Sequence, residues 1–146
     1  MKGIRCFLWG ELLLCGASLA GVAYRVRENY QGLSFGGFMA LFLLLLLFPC
    51  FLALAGCIPL HLRTLKTGRP FFSLIASLLQ GLAPVLWLWL LTAFGYKLWT
   101  PDLAAYWCEW AMMAGMLAGG LGFVLCLAWL VAECVKKGKG KNYEAV

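Results

Sequence analysis

Four long apolar runs separated by short polar connections constrain this chain more than any other feature. They extend from Cys6 to Tyr24, Phe35 to Pro59, Phe71 to Tyr96 and Tyr106 to Ala132. A hydrocarbon layer about 30 Å thick is crossed by roughly 20 helical residues, and in lipid a helix satisfies its backbone N–H and C=O groups within its own segment. Each run is close to that length or exceeds it. With 64% hydrophobic and 12% charged residues and a mean hydropathy of +0.88, the 146 residues have too little polar surface to coat a water-soluble globule. The expected fold is an all-α integral membrane protein. It forms one membrane domain over residues 1–146, with four transmembrane helices in an antiparallel bundle and a basic tail over 133–146.

Orientation follows from the basic residues, which are retained on the cytoplasmic side. Lys2, Arg5, Arg63, Lys66, Arg69, Lys136, Lys137, Lys139 and Lys141 fall on one side, nine of the twelve, and Arg25, Arg27 and Lys97 on the other. Both termini are therefore expected in the cytoplasm, an N-in/C-in protein of a plasma or inner membrane. Lys136, Lys137, Lys139 and Lys141 suit anionic lipid headgroups, each worth about 1 kcal/mol near the surface. The net charge of +6 does not point to nucleic acid, because the basic residues stand at the ends of apolar runs rather than on a shared polar face. Glu11, in the middle of the first run, argues against a cleaved signal peptide.

Two connections carry local signals. Gly68 can end one helix and Pro70 open the next, which predicts a tight hairpin between the second and third spans. Thr100 can cap the fourth helix, with Pro101 in its first turn and Asp102 complementing the positive end of its dipole. Helix from Pro101 to Ala132 would be 32 residues, about 48 Å, longer than the hydrocarbon layer. Its first turns would place Tyr106, Trp107 and Trp110, with Trp99, in an aromatic belt at the outer headgroups.

Glu11 is the candidate functional residue, because an ionisable group within a membrane helix normally faces a partner or a wet cavity. Six residues from Arg5 place it about 9 Å inward, within reach of interfacial water. Helical spacing puts Glu11, Cys15 and Ser18 on one face of the first span, and Ser73, Ser77, Gln80 and Pro84 on one face of the third. Glu11, Ser18, Ser73, Ser77 and Gln80 thus form a candidate transport or polar cluster, with Glu11 at a depth between Ser73 and Ser77. Pro84 and Pro49 leave the carbonyls of Gln80 and Leu45 without their helical partners, and Pro49 should bend its helix. In the fourth span Ala111, Gly115, Gly119 and Gly122, with Ala118, make a small-residue face that lets another backbone approach, either within the bundle or from a second protein. Met112, Met113 and Met116 are expected to be adaptable packing, and Asp102 and Glu109 to be solvated.

No catalytic set is legible. Of the seven cysteines only Cys108 falls on the outer side, so no outer disulfide is expected. Cys15, Cys50 and Cys126 read as buried small residues, and Cys6, Cys57 and Cys134 as lying near the cytoplasmic face, open to acylation. His61 falls in the second connection with no Cys or carboxylate at metal-ligand spacing, so no metal or cofactor is expected. Gly119-Gly120-Leu121-Gly122 lies inside an apolar run and is not a phosphate loop.

In that one residue, Glu11, the chain resembles the small multidrug-resistance transporters. Pro49-Cys50, His61, Arg69-Pro70 and Leu79-Gln80, with gaps between them, resemble the opening helices of XK-related scramblases. Neither similarity assigns a family. The functional expectation is a non-enzymatic subunit or accessory protein, embedded in the lipid bilayer and joined through the Gly115 and Gly119 face to itself or another membrane protein. The alternative is a small oligomeric transporter or channel in which Glu11 couples a proton or cation.

Overall fold

The computed structural model describes residues 2–32, 37–93 and 103–143. These form four helices, α1 (Lys2–Gly32), α2 (Gly37–Thr67), α3 (Pro70–Ala93) and α4 (Leu103–Tyr143). All four contain a stretch long and apolar enough to cross a membrane. Helices α1, α2 and α4 extend past their apolar runs at one end or both. α1 extends past both ends of 6–24, α2 continues beyond Pro59 to Thr67, and α4 carries the basic segment after Ala132 as helix to Tyr143. A bilayer boundary does not stop a helix. Lys, Arg, Leu and Glu are good helix formers, and Pro59 removes a single bond, the one to the Ala55 carbonyl. At 41 residues, α4 is about 62 Å long, twice the hydrocarbon thickness. Lys97, Trp99, Thr100, Pro101 and Asp102, including the predicted helix cap, lie outside the described residues.

The α2–α3 hairpin has the predicted chemistry. Gly68 sits at φ +68°, and its N–H donates to the Thr64 carbonyl at 2.8 Å, closing the end of α2. Pro70 opens α3, and the Arg63 guanidinium stacks 4.4 Å from the centre of the Phe72 ring across the turn. A Cβ at Gly68 would meet no atom within 4 Å, so only backbone conformation resists substitution there. Gly68→Ala should therefore cost about 1 kcal/mol, the penalty of an L-residue in the left-handed region. Equilibrium unfolding in mixed detergent–dodecyl sulfate micelles reads it, with Gly68→Asn less affected.

The helices close into a ring. α1 packs on α2 and α4, α3 packs on the same two, and α1 and α3 meet across the middle. Buried positions repeat every three or four residues along each helix: Leu8, Glu11, Cys15, Ser18, Val22 and Arg25 on α1, Cys50, Leu54, Cys57, His61 and Thr64 on α2, and Cys108, Met112, Gly115, Gly119, Gly122 and Cys126 on α4. That average of 3.5 is the seam of a left-handed bundle. The seam is rich in polar and small side chains, whereas Leu13 and Leu117 are about three-quarters exposed. An apolar outside over an interior that mixes polar side chains with Leu8, Val22, Leu54, Trp87 and Met112 is compatible with lipid as solvent.

The small-residue face of α4 is used within this bundle. A Cβ on Gly119 would stand 2.8 Å from the Gly81 Cα and the Ser77 carbonyl oxygen, so α3 and α4 touch backbone to backbone. Gly115 faces Ser18, and Gly122 faces the Glu11 carboxylate. The surface expected to receive another protein is thus covered by α1 and α3. In lipid, which supplies no hydrophobic drive between helices, such close contacts hold a bundle by dispersion.

Candidate functional site

The polar side chains of α1, α2 and α3 converge at one level of the bundle interior. Glu11, placed inward by the α1 register, is 2% exposed, which corrects the expectation that it reaches interfacial water. The absent side chain of Gly122 on α4 makes room for its carboxylate. Glu11 Oε1 accepts a hydrogen bond from Ser77 Oγ at 2.5 Å. Gln80 Nε2, one turn further along α3, donates to the Glu11 backbone carbonyl at 3.2 Å. The predicted meeting of Glu11 with Ser77 and Gln80 is therefore present, across the diagonal of the ring.

His61 is the residue that sequence reasoning missed. It was expected in a connection, but α2 continues through it and it is fully buried. Its Nδ1 shares a 3.2 Å hydrogen bond with Ser73 Oγ, and its Nε2 lies 3.9 Å from Glu11 Oε2. Ser73 thus joins the cluster through His61. The available signal was the register Cys50, Leu54, Cys57, His61, Thr64, which runs through Pro59 without a break. Three buried atoms in this cluster have no hydrogen-bond partner among the described residues: Glu11 Oε2, His61 Nε2 and Gln80 Oε1. Buried polar atoms without partners are uncommon in proteins and mark a place for a water, ion or ligand.

Ser18 does not belong to this cluster. Its hydroxyl bonds the Leu14 carbonyl at 2.9 Å and the Ala111 carbonyl on α4 at 3.2 Å. Two turns from Glu11, it joins α1 to the small face of α4 instead. Cys57, expected to be open to acylation, faces the bundle interior instead. It is buried, and its thiol points at the carbonyls of Ala53 and Ala76, both at 3.2 Å. Cys15, its neighbour from α1, donates to the Leu54 carbonyl at 3.2 Å. Cys50, Cys108 and Cys126 are buried, while Cys6 and Cys134 are exposed.

A second polar contact closes the far end of the α1–α4 pair. Arg25, expected in an outer connection, is fully buried, and its guanidinium bonds the Glu109 carboxylate. Glu109 was expected to be solvated but is only 12% exposed. The α1 register, continued three residues past Val22, points Arg25 inward. Trp107, half-exposed beside it, packs its ring 5.9 Å from that of Tyr24. Trp110 is exposed at the same end, whereas Met112 is buried and Met113 and Met116 half-buried. Lys136 and Lys137 are exposed on α4; the side chains of Lys139 and Lys141 lie outside the described residues.

A carboxyl, an imidazole, an amide oxygen and two hydroxyls brought together in the bundle interior can share a proton or coordinate a small cation. Among the described residues no group of three or more His, Cys, Asp or Glu side chains is placed to hold a metal ion. Comparison with protein families, with curated proteins and with solved structures finds no match to this chain.

Proposed function

We propose that this protein is a small non-enzymatic membrane transport protein, inserted with both termini in the cytoplasm, in which Glu11 binds the proton or cation that is moved. The supporting observation is the buried Glu11 carboxylate, with one oxygen bonded to Ser77 and the other facing His61 without a hydrogen-bond partner among the described residues. Burying a carboxylate in an apolar bundle costs several kcal/mol unless it is paired or protonated. A purely structural role would call for full pairing. The reading as a subunit or accessory protein rests on the small-residue face and on the lack of a legible catalytic set; in this bundle α1 and α3 pack against Gly115 and Gly119 of that face.

The test is flux in liposomes containing the purified chain. Wild type should dissipate an imposed pH or monovalent-cation gradient, and Glu11→Gln should return the rate to that of protein-free vesicles. Gly122→Ala gives an independent check, since its Cβ displaces the carboxylate without removing it, and it should also slow the flux. If wild-type vesicles leak no faster than empty ones for protons or for any monovalent cation, the transport reading is wrong.

A further inference from the structure

The geometry gives His61 a role of its own: we propose that it is a proton relay, through which Glu11 exchanges its proton with water at the α2–α3 hairpin end of the bundle. This rests on the reading of Glu11 as the group that takes up the transported ion. It names that ion as a proton and His61 as its route.

Glu11 is buried, with its carboxylate turned to Ser77, His61 and Gly122 in the bundle interior. A proton therefore reaches it through side chains. Its Oε2 faces His61 Nε2 at 3.9 Å. On the other side of the ring, Nδ1 shares a 3.2 Å hydrogen bond with Ser73 Oγ. Ser73 stands three residues into α3 from Pro70, about 5 Å along the helix from the hairpin, where Lys66, Thr67, Gly68 and Arg69 are exposed. Ser77, which bonds the other carboxylate oxygen, lies one turn deeper on the same helix.

Chemistry singles out the imidazole. The other titratable side chains near Glu11 are the thiols of Cys15, Cys57 and Cys126. Cys15 and Cys57 donate to backbone carbonyls, and a thiol ordinarily keeps its proton near neutral pH, whereas an imidazole binds and releases one there. In one tautomer Ser73 donates to Nδ1 and the Nε2–H points toward Glu11; in the other, Nδ1–H donates to Ser73 and Nε2 accepts. Proton uptake at Nδ1 converts the first into an imidazolium. Loss of the Nε2 proton to Glu11 Oε2 then leaves the second tautomer and a neutral carboxyl. Neither Nε2 nor Oε2 has a hydrogen-bond partner among the described residues. Their separation exceeds a hydrogen bond by about 1 Å. Side-chain rotation closes such a gap, or one water spans it, for which Gln80 Oε1, also without a partner there, is a further acceptor.

The chain has a single histidine, so one substitution removes the relay. With the full chain in lipid nanodiscs, infrared spectroscopy follows the carboxylic band that Glu11→Gln abolishes, after rapid pH jumps in both directions. His61→Gln keeps a polar side chain in place of the ring but cannot release a proton. It should slow both the rise and the decay of the band about a hundredfold, the low end of what a positioned proton-transfer group contributes, with the titration midpoint held. A structural role would move the midpoint and leave the rates alone. Unchanged rates, or a shifted midpoint alone, overturn the proposal. If His61→Gln folds poorly, Ser73→Ala decides in its place, since it cuts the route on the hairpin side with Glu11 and His61 both present; slowed exchange there supports the relay and unchanged exchange overturns it. His61-dependent exchange in a chain that shows no flux leaves the relay standing without transport. Flux that needs Glu11 but runs at the wild-type rate in His61→Gln leaves transport standing without the relay.

Discussion

Gly119→Leu is expected to unfold the bundle under conditions that leave Gly120→Leu, its neighbour on α4, fully folded. The two positions have the same helix propensity and differ only in what a side chain would meet. At Gly119 a Cβ alone would stand 2.8 Å from the Gly81 Cα, and at Gly120 it would meet nothing within 4 Å. The obstructing atoms are backbone, which cannot swing aside as a side chain does. Helices α3 and α4 would have to separate along their contact, losing the dispersion that joins them. Overpacking a well-filled core costs 1–3 kcal/mol and occasionally more, and a backbone obstruction belongs at the upper end, about 3 kcal/mol. The dodecyl sulfate midpoint followed by circular dichroism reads this directly. A Gly119→Leu chain as stable as wild type would show that α3 does not cover this face; loss of a crosslinked oligomer in that variant would then restore the expectation of a partner there.

Removing one member of the Arg25–Glu109 pair is the second large effect. Glu109→Ala leaves the Arg25 guanidinium, fully buried, without the carboxylate that bonds it. Breaking a buried pair from one side costs about 3–5 kcal/mol, because the remaining charge keeps its desolvation penalty. Replacing both residues by apolar ones of similar volume removes that penalty as well as the attraction. Arg25→Met with Glu109→Leu should therefore recover much of the stability lost in Glu109→Ala. The same unfolding titration compares the three chains. If Glu109→Ala unfolds at the wild-type midpoint, the guanidinium reaches headgroups or water, and the pair is a surface contact worth little.

Much of this architecture is legible in one dimension. Four apolar runs, the Gly68 and Pro70 punctuation and the inward register of Glu11, Ser73, Ser77 and Gln80 all follow from helical period and local backbone chemistry, which act over a few residues. His61 and Arg25 lie past the ends of their apolar runs yet inside helices, because a hydropathy boundary is not a helix boundary. Helix continues for as long as its backbone bonds are made, and a polar residue on the inward register stays inside when a partner waits there.

What the sequence by itself determined is four apolar helices, the hairpin between the second and third, and which stripe of each helix is polar or small. Only the tertiary structure decided which stripes meet. Gly122 making room for the Glu11 carboxylate, His61 standing 3.9 Å from it, and Glu109 answering Arg25 join residues far apart in the chain. Their proximity depends on the ring order of the helices, and helical period carries no information about which neighbour a face will find. The small face of α4 illustrates the difference: its four-residue spacing announces a close backbone contact, and only the folded bundle identifies that backbone as α3.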